Sequence, residues 1–282
     1  MAEDKRERFS FKEMIDQLND QLNPTSRFAS VPASTIESRH SSQTSLSAKS
    51  IKVLSWNINK NNRTARWIAD FSEIVSQYQP DKIFLQEVQL CATSKEIPEL
   101  MQMGWSFAPN FIDKLTNLYS GVLIATQDNH LNAKAVITRH SEPITNTPKV
   151  SLFAEYSLAA SQESLLAVNT HLINFVDLSK FQSQLQEVEA VISQHSGKII
   201  FSGDFNTWNR GRWTMLLEMA HRLGLKAVLF NPEDTKKIKS FLLSPPLDYI
   251  FYRGLHQKPL SAKVLDKFSS SDHNPLLVEF YG

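Results

Sequence analysis

From Ile51 onward the chain alternates apolar runs of strand length with segments whose apolar residues recur at helical spacing. Short apolar runs bounded by turn residues predict β-strands, and they cover residues 51–58, 82–88, 121–126, 150–158, 164–171, 198–202, 247–252 and 276–280. Apolar residues three and four positions apart predict three helices, centred near Phe71, Leu185 and Leu216. The order of these elements favours an α/β domain in which two sheets pack face to face.

The N-terminal part of the chain follows a different pattern. Ser10 and Glu13 have the spacing of a capping box, and apolar residues follow at helical spacing, which predicts a short amphipathic helix over residues 1–22. Residues 23–50 are rich in Ser, Thr and Pro, a composition typical of a linker or disordered arm. The folded domain is therefore expected to span residues 51–282.

Composition narrows the class of protein. The 282 residues are 41% hydrophobic, enough for a sizeable core. The formal net charge is only +1, so the chain as a whole is not a polycation that would hold nucleic acid by charge alone. Cys91 is the one cysteine of the sequence, which excludes an internal disulfide and favours a reducing compartment. With no apolar run of membrane-spanning length, a cytoplasmic location is expected.

Eight polar residues share one property, because each stands at or beside the end of a predicted strand. They are Asn57, Glu87, His171, Asp204, Asn206, Asp248, Asp272 and His273. If these strand ends converge, carboxylates, amides and imidazoles meet in one cleft. Carboxylate and amide oxygens without cysteine suit a hard cation such as Mg²⁺. An imidazole oriented by a carboxylate beside it can transfer protons. The pattern predicts water attack on a phosphate ester.

Taken one at a time, these residues have structural explanations. Asn57 and Asn206 suit turns, and Asp204 suits a helix cap. Asp248 lies between apolar neighbours, where an unpaired carboxylate is costly. The ordered set is what favours catalysis.

The ordered set resembles the endonuclease/exonuclease/phosphatase superfamily, whose members include DNase I-like nucleases. The resemblance covers residues 51–282, and within the superfamily the chain looks most similar to the bacterial YafD-like branch. It is carried by Trp56-Asn57, Gln86-Glu87, Ser120-Gly121-Val122, Asn169-Thr170-His171, Gly203-Asp204-Phe205-Asn206, Leu247-Asp248-Tyr249 and Ser271-Asp272-His273. It implies a four-layered α/β sandwich, in which two packed mixed β-sheets are flanked by helices.

The resemblance also implies a cofactor and its ligands. Asn57 and Glu87 would hold a divalent metal, with Glu87 as the direct ligand, and Asp272 would lie near that ion or near a second one. The expected ion is Mg²⁺, with Mn²⁺ as the alternative.

The same resemblance implies roles in catalysis. Asp204 would position and activate the attacking water, and Asn206 would hold a phosphate oxygen. His273 would act as the base or stabilise the phosphate, with Asp248 orienting its ring. His171 would donate to a phosphate oxygen or protonate the leaving group, although no carboxylate partner for it is evident in the sequence.

Basic residues follow two of the motifs. Arg63 follows Asn57, and Arg210 and Arg212 follow Asn206. Such side chains can bind the flanking phosphates of a substrate, or they can be ordinary solvated charges.

Three functions remain open. The leading one is a Mg²⁺-dependent phosphodiesterase that hydrolyses its substrate by in-line water attack, with nucleic acid favoured over lipid or inositol phosphate. The second is a phosphatase or phospholipase C-like enzyme that acts on phosphoinositide or sphingomyelin-like head groups. The third is a binding protein that keeps the fold without turnover.

Overall fold

Two β-sheets form the centre of the molecule. The structure, a computed structural model, describes residues 27–31, 37–39, 50–91, 97, 100, 103–128, 130–158, 163–241 and 244–281. Within them the first sheet has the order β1-β5-β6-β4-β3-β15-β13, with β2 paired to β5 and β14 paired to β15. Its strands are β1 Phe28–Ser30, β2 Glu37–Arg39, β3 Ile51–Asn57, β4 Lys82–Cys91, β5 Gly104–Asp113, β6 Leu118–Thr126, β13 His256–Gln257, β14 Lys263–Val264 and β15 Leu276–Tyr281.

The second sheet has the order β11-β12-β10-β9-β8-β7. Its strands are β7 His130–Ser141, β8 Pro148–Ser157, β9 Ser164–His171, β10 Lys198–Asp204, β11 Lys226–Ala227 and β12 Asp248–Arg253. Both sheets are mixed, because β3 and β4 are parallel in the first and β9 and β10 are parallel in the second.

The helices begin at polar caps. They are α1 Ala65–Tyr78, α2 Leu178–Ile192, α3 Arg210–Arg222 and the short α4 Pro232–Thr235. The side chain of the residue before each of the first three accepts a hydrogen bond from the first-turn backbone; these residues are Thr64, Asp177 and Asn209. Such caps satisfy one of the unpaired N–H groups at a helix start. None of the described helices is long and apolar enough to cross a membrane.

Three apolar clusters separate four layers. Residues such as Val53, Ile124 and Ile200 fill the space between the sheets. Trp67 of α1 packs on the outer face of the first sheet, and Phe181 of α2 packs on the outer face of the second. Each sheet is therefore covered on both faces, which explains why its central strands are nearly continuous apolar runs. The predicted four-layered α/β sandwich is confirmed.

Two long strands, β5 and β7, escaped the sequence analysis. Strand β5 contains Pro109 and Asn110, residues that weaken a strand pattern, and its pairing with β6 shifts register there. Strand β7 lies at the edge of its sheet and exposes Leu131 and Lys134, so it lacks the apolar run of a central strand.

The region expected to be a linker or disordered arm needs correction. Strands β1 and β2 lie inside residues 23–50 and both pair antiparallel with β5. An edge strand offers unpaired backbone groups, and those groups bind a passing segment whatever its side-chain composition, so a composition-based prediction misses such strands. The helix predicted over residues 1–22 lies outside the described residues.

A buried ion pair joins the sheets at the start of β4. The Lys82 ammonium donates to Thr126 Oγ1 at 3.1 Å, lies 3.6 Å from Asp128 Oδ2, and stands 3.6 Å from the centroid of the Tyr156 ring of β8. Burial lowers the pKa of Lys82 to about 8, against the opposing charge of Asp128. At neutral pH the lysine remains largely charged, so the stability of the fold depends on Asp128, the carboxylate nearest to that buried charge.

Replacing Asp128 by Asn should therefore destabilise the fold, because it leaves the buried ammonium without a compensating charge. We expect the Asp128→Asn variant to lose about 3 kcal/mol of unfolding free energy in urea at pH 7. Adding Lys82→Met should recover part of that loss. Glu233→Gln, which breaks the exposed pair with Lys236, is the control and should cost less than about 1 kcal/mol. Equal losses in the two single variants would contradict this account.

Candidate active site

Three neighbouring strands of the second sheet place polar residues side by side at the same end of the sheet. In the pairing registers, Asp204 lies beside His171 of the parallel strand β9 and beside Asp248 of the antiparallel strand β12. Gly203 precedes Asp204 with a φ of 152°, and a Cβ there would stand 1.9 Å from the Thr170 carbonyl oxygen. Only glycine allows the two strands to come this close, so the motif glycine sets the position of the aspartate after it.

The segment that carries His273 is fastened to the end of β3. Trp56 Nε1 donates to the His273 carbonyl at 2.8 Å, and Ser271 Oγ donates to the Asn57 carbonyl at 2.7 Å. The imidazole then reaches across to the second sheet, where Nδ1 lies 2.7 Å from Asp248 Oδ2. This contact fixes the ring, so that Nε2 points toward the cavity, 3.9 Å from Asp204 Oδ2.

Asp204 is the hub of this arrangement. Its Oδ2 accepts a hydrogen bond from Asn57 Nδ2 at 2.9 Å, and its Oδ1 accepts one from the Asn206 backbone N–H at 3.0 Å. His171 Nε2 lies 3.6 Å from Oδ2. His171 thus has the carboxylate neighbour that the sequence did not reveal. The Asn206 side chain donates to the Leu172 carbonyl at 2.8 Å. The backbone of Asn206 has a φ of 49°.

Glu87 is presented by a β-bulge. Leu85 pairs with Leu123 and Val88 with Gly121, so two residues of β4 oppose one residue of β6. Glu87 adopts a φ of 57°, an uncommon value for a residue with a side chain. Strained backbone of this kind clusters at functional sites. Its Oε2 accepts from Lys60 Nζ at 2.6 Å, and its Oε1 lies 3.9 Å from His171 Nε2.

The bulge is braced from the other sheet by Asn169. The Asn169 side-chain amide donates to the carbonyls of Leu85 at 2.9 Å and Leu123 at 2.8 Å, the last ladder pair before the bulge. Its Oδ1 accepts from Gln86 Nε2 at 2.7 Å. These fully buried bonds tie the two sheets together directly beneath the polar residues.

The two histidines have opposite electrostatic environments. Burial lowers the pKa of His171 to about 4, and the charge of Lys149 adds to that effect. Burial also acts to lower the pKa of His273, but the Asp248 carboxylate outweighs it and raises the pKa to about 10. At neutral pH the structure therefore holds one neutral imidazole and one imidazolium in the same site.

The carboxylates also differ from one another. Burial raises the pKa of Asp204 above its ordinary value, opposed by the two histidines. For Glu87, burial is outweighed by the charges of Lys60, His171 and Lys149, which hold its pKa well below the usual range. Glu87 is consequently a fully ionised carboxylate, whereas Asp204 holds a proton more readily.

Seven of the eight strand-end residues line one cavity of about 270 Å³, and Asp248 lies behind His273. The seven are Asn57, Glu87, His171, Asp204, Asn206, Asp272 and His273. The structure thus brings together residues that are more than two hundred positions apart in the chain.

The donor set at Glu87 fits a hard cation. The carboxylate is ionised, it lies in this cavity, and it already attracts a cation, the Lys60 ammonium at 2.6 Å. A second group, Asp204, Asp248 and His273, has ligand atoms within 4.8 Å of one another. In that group His273 Nδ1 is already bound to Asp248 Oδ2 at 2.7 Å. The group is therefore better suited to orienting the His273 ring than to holding an ion.

The remaining predicted residues lie at the rim or outside the cavity. The Asp272 side chain is 51% exposed and pairs with Lys239 at 3.2 Å. Arg63 and Arg210 are exposed. The expected substrate contact by Arg212 is wrong, because this side chain is fully buried and donates to the carbonyls of Ile173, Asn206 and Val176. Arg212 holds the loops that follow β9 and β10.

Two charged residues of the cavity wall were missed. Lys149 and Glu142 flank the turn between β7 and β8, and their side chains pair at 3.4 Å with only 12% of each exposed. Both line the cavity. Neither belongs to a motif, and no pattern in the sequence relates that turn to the strand ends of the other residues. Lys60, which lines the same cavity, is a third charged residue whose contact with Glu87 the sequence did not show.

Comparisons with known proteins agree with this geometry. The sequence model of the Endonuclease/Exonuclease/phosphatase family matches residues 54–273. A UPF0294 protein of Vibrio parahaemolyticus is 34% identical over 233 residues, which are 82% of this chain and 77% of the relative.

Solved structures show the same fold at low sequence identity. The crystal structure of an endonuclease/exonuclease/phosphatase from Beutenbergia cavernae superposes with a TM-score of 0.63 at 14% identity, over 83% of this chain and 72% of that one. The human Nocturnin catalytic domain superposes with a TM-score of 0.61 at 18% identity, over 90% of this chain and 96% of that one. With the matched segment covering most of its length, the chain belongs to the endonuclease/exonuclease/phosphatase family.

Proposed function

We propose that the chain is a divalent-metal-dependent phosphodiesterase, and more narrowly a nuclease, that hydrolyses its substrate by in-line attack of water. The observation that supports this most is the row of His171, Asp204 and Asp248 across three strands, completed by His273. His171, Asp204 and His273 line the cavity that also contains Glu87. These four residues differ in the direction of their pKa shifts, an arrangement typical of acid–base and electrostatic catalysis.

The pKa values favour a division of labour. Asp204 has a raised pKa and is held by two N–H donors, so it is suited to orient a water molecule and accept its proton. His273 keeps its charge at neutral pH. It is therefore suited to donate from Nε2 to a phosphoryl oxygen, where negative charge develops, rather than to act as the base.

Glu87 would hold the divalent ion, with Asn57 nearby in the same cavity. When bound, such an ion polarises the phosphoryl oxygens and stabilises the charge of the leaving oxygen. The chain's own contribution is to keep Glu87 ionised through the positive charges around it. Asp272, on the rim, is suited to a water-mediated contact or to a second, weaker ion.

Nucleic acid remains the favoured substrate class, because Arg63 and Arg210 are exposed and free of the structural contacts that bury Arg212. A non-catalytic role is disfavoured by the backbone strain at Glu87, whose φ is 57° although its side chain is not one that favours that region, since a scaffold gains nothing from that strain. The half-buried Cys91 suits a reducing compartment, and the cytoplasm is the location we propose.

Removing the proposed acid–base groups should remove turnover without unfolding the protein. We expect Asp204→Asn and His273→Ala each to lower kcat for a phosphodiester by roughly 10²–10⁴-fold. His221→Ala, on the exposed face of α3, is the control and should retain normal activity. Circular dichroism and thermal melts would establish that the variants are folded. A folded Asp204→Asn enzyme with normal turnover would refute the proposed role.

Metal dependence can be tested by binding as well as by turnover. Mg²⁺ should raise the melting temperature of the wild-type protein, because an ion that binds only the folded state stabilises it. Glu87→Gln should abolish this shift, and EDTA should abolish hydrolysis by the wild type. Glu73→Gln is a matched control. Like Glu87, Glu73 pairs with a lysine, in its case Lys267 at 2.7 Å, but it lies on the exposed face of α1. An unchanged Mg²⁺ shift in Glu87→Gln would remove Glu87 from the metal site.

The His273–Asp248 pair should give stability a specific pH dependence. The folded pKa of His273, about 10, lies above its ordinary value of 6.5, so the pair stabilises fully below pH 6.5 and loses its effect as the pH rises toward 10. Urea unfolding should therefore show Asp248→Asn to be less stable than wild type by about 2 kcal/mol at pH 6. The gap should narrow steadily up to pH 10. A gap that stays constant with pH would show that the histidine is neutral in the fold.

A further inference from the structure

A second cavity of about 220 Å³ adjoins the first. The two share part of their lining, namely Lys60, Glu87, Glu142, Lys149 and His171. Asp204 and His273 line only the first cavity. We propose that the second cavity binds the leaving alcohol of the substrate, and that this alcohol is a neutral nucleoside carrying no further phosphate. The inference rests on the phosphodiesterase function proposed above.

The direction of in-line attack places the leaving group on this side. Attacking and leaving oxygens lie opposite each other across phosphorus. With water held at Asp204, the leaving oxygen departs away from that residue, toward Glu87 and His171, and the second cavity opens there. Water forms the new P–O bond, the bond to the leaving oxygen breaks, and Asp204 takes the water's proton. The leaving oxygen gains a proton from solvent, so the products are a phosphate monoester and a free nucleoside.

The charges of the second cavity cancel in pairs. Arg27 donates to both carboxylate oxygens of Asp113, at 2.5 to 3.1 Å, and Lys149 pairs with Glu142 at 3.4 Å. Lys60, the third cation of the lining, pairs with Glu87 at 2.6 Å, so each of the three cations has a carboxylate partner. A leaving group that carried another phosphate would meet Asp113 and Glu142 at close range, and like charges in a partly desolvated site repel strongly. The pairing therefore selects against polyphosphorylated ligands.

The uncharged lining suits a nucleoside. Five lining residues carry amide or hydroxyl groups, namely Gln89, Asn110, Ser120, Thr145 and Thr147. Phe28 and Phe111 stand edge to face with centroids 5.0 Å apart and give the cavity one aromatic wall. Hydrogen-bonding groups opposite an aromatic face are the equipment for holding a base and its sugar. An acyl chain would offer these polar groups no hydrogen-bond partner.

Size limits the occupant to a single group. The cavity is smaller than the roughly 300–1,000 Å³ of sites for drug-sized ligands, and its lining includes Arg27 and Phe28 from the segment that pairs with β5. The N-terminal segment thus becomes part of the substrate site, which gives a function to the short strand β1. A continuous polymer would not fit; a chain end or a dinucleotide would.

The experiment compares leaving groups on one phosphate, with the full-length protein and Mg²⁺. The substrates are a dinucleoside monophosphate, the same compound with an added phosphate on the leaving nucleoside, and a nucleotide methyl ester. We expect kcat/KM for the first to exceed that for each of the others by about tenfold or more. Phe28→Ala and Gln89→Ala should each lower kcat/KM for the dinucleoside monophosphate toward the value for the methyl ester. Neither variant should change kcat/KM for the methyl ester. Tyr281→Ala, an aromatic truncation at the exposed far end of β15, should change neither.

A binding measurement separates the two proposals. Adenosine should bind the wild-type protein in the presence of EDTA, and saturation-transfer NMR would detect this binding. Phe28→Ala should weaken the binding of adenosine. Binding of this kind with no hydrolysis of any substrate would leave the nucleoside site standing and refute the phosphodiesterase. Equal turnover of the three substrates, or preference for the phosphorylated leaving group, would overturn the nucleoside site and leave the phosphodiesterase intact. Absence of both binding and hydrolysis would overturn both.

Discussion

The active site depends on one buried hydrogen-bonded contact between the two sheets. A β-bulge at Gln86 and Glu87 interrupts the ladder between β4 and β6, and buried carbonyls beside such an interruption must find other donors. Asn169 supplies them from the second sheet, through bonds to Leu85 and Leu123. The same side chain accepts from Gln86. Because these groups are fully buried, a shift of either sheet would leave polar atoms unpaired, so the sheets are locked in one relative position.

That lock has a direct consequence for chemistry. Asn169 lies two residues before His171 on β9, and Gln86 immediately precedes Glu87 on β4, so fixing the buried pair also fixes the functional pair above it. His171 Nε2 then stands between Glu87 and Asp204, 3.9 and 3.6 Å from their oxygens. The first sheet supplies the ionised carboxylate and the second supplies the protonatable one. Their separation in pKa follows from position: Glu87 faces the lysines and Asp204 lies deeper.

The sequence was sufficient to predict the sandwich, because that feature follows from apolar periodicity, and motifs at the edges of strands indicated eight residues of which the structure brings seven to one cavity. It was insufficient wherever a contact is set by packing between distant segments. Arg212 has the spacing of a rim residue, yet the helix that carries it turns the guanidinium inward onto three carbonyls. Lys149 and Glu142 reach the cavity from a turn with no motif. Strand β1 arises from backbone pairing at an open sheet edge, which leaves little trace in composition.

The charge pattern of the two cavities bears on substrate choice more than the net charge of the chain does. A net charge of +1 argues against long-range attraction of a polyanion, but recognition at the site depends on local pairing. His273, which lines the first cavity and not the second, is held positive by Asp248. In the adjoining cavity Arg27 and Lys149 each have a carboxylate of their own. Under the proposed function, this arrangement favours one phosphate at His273 and disfavours a second phosphate on the leaving side. Specificity of that kind arises from carboxylates placed against the wrong ligand as much as from cations placed for the right one.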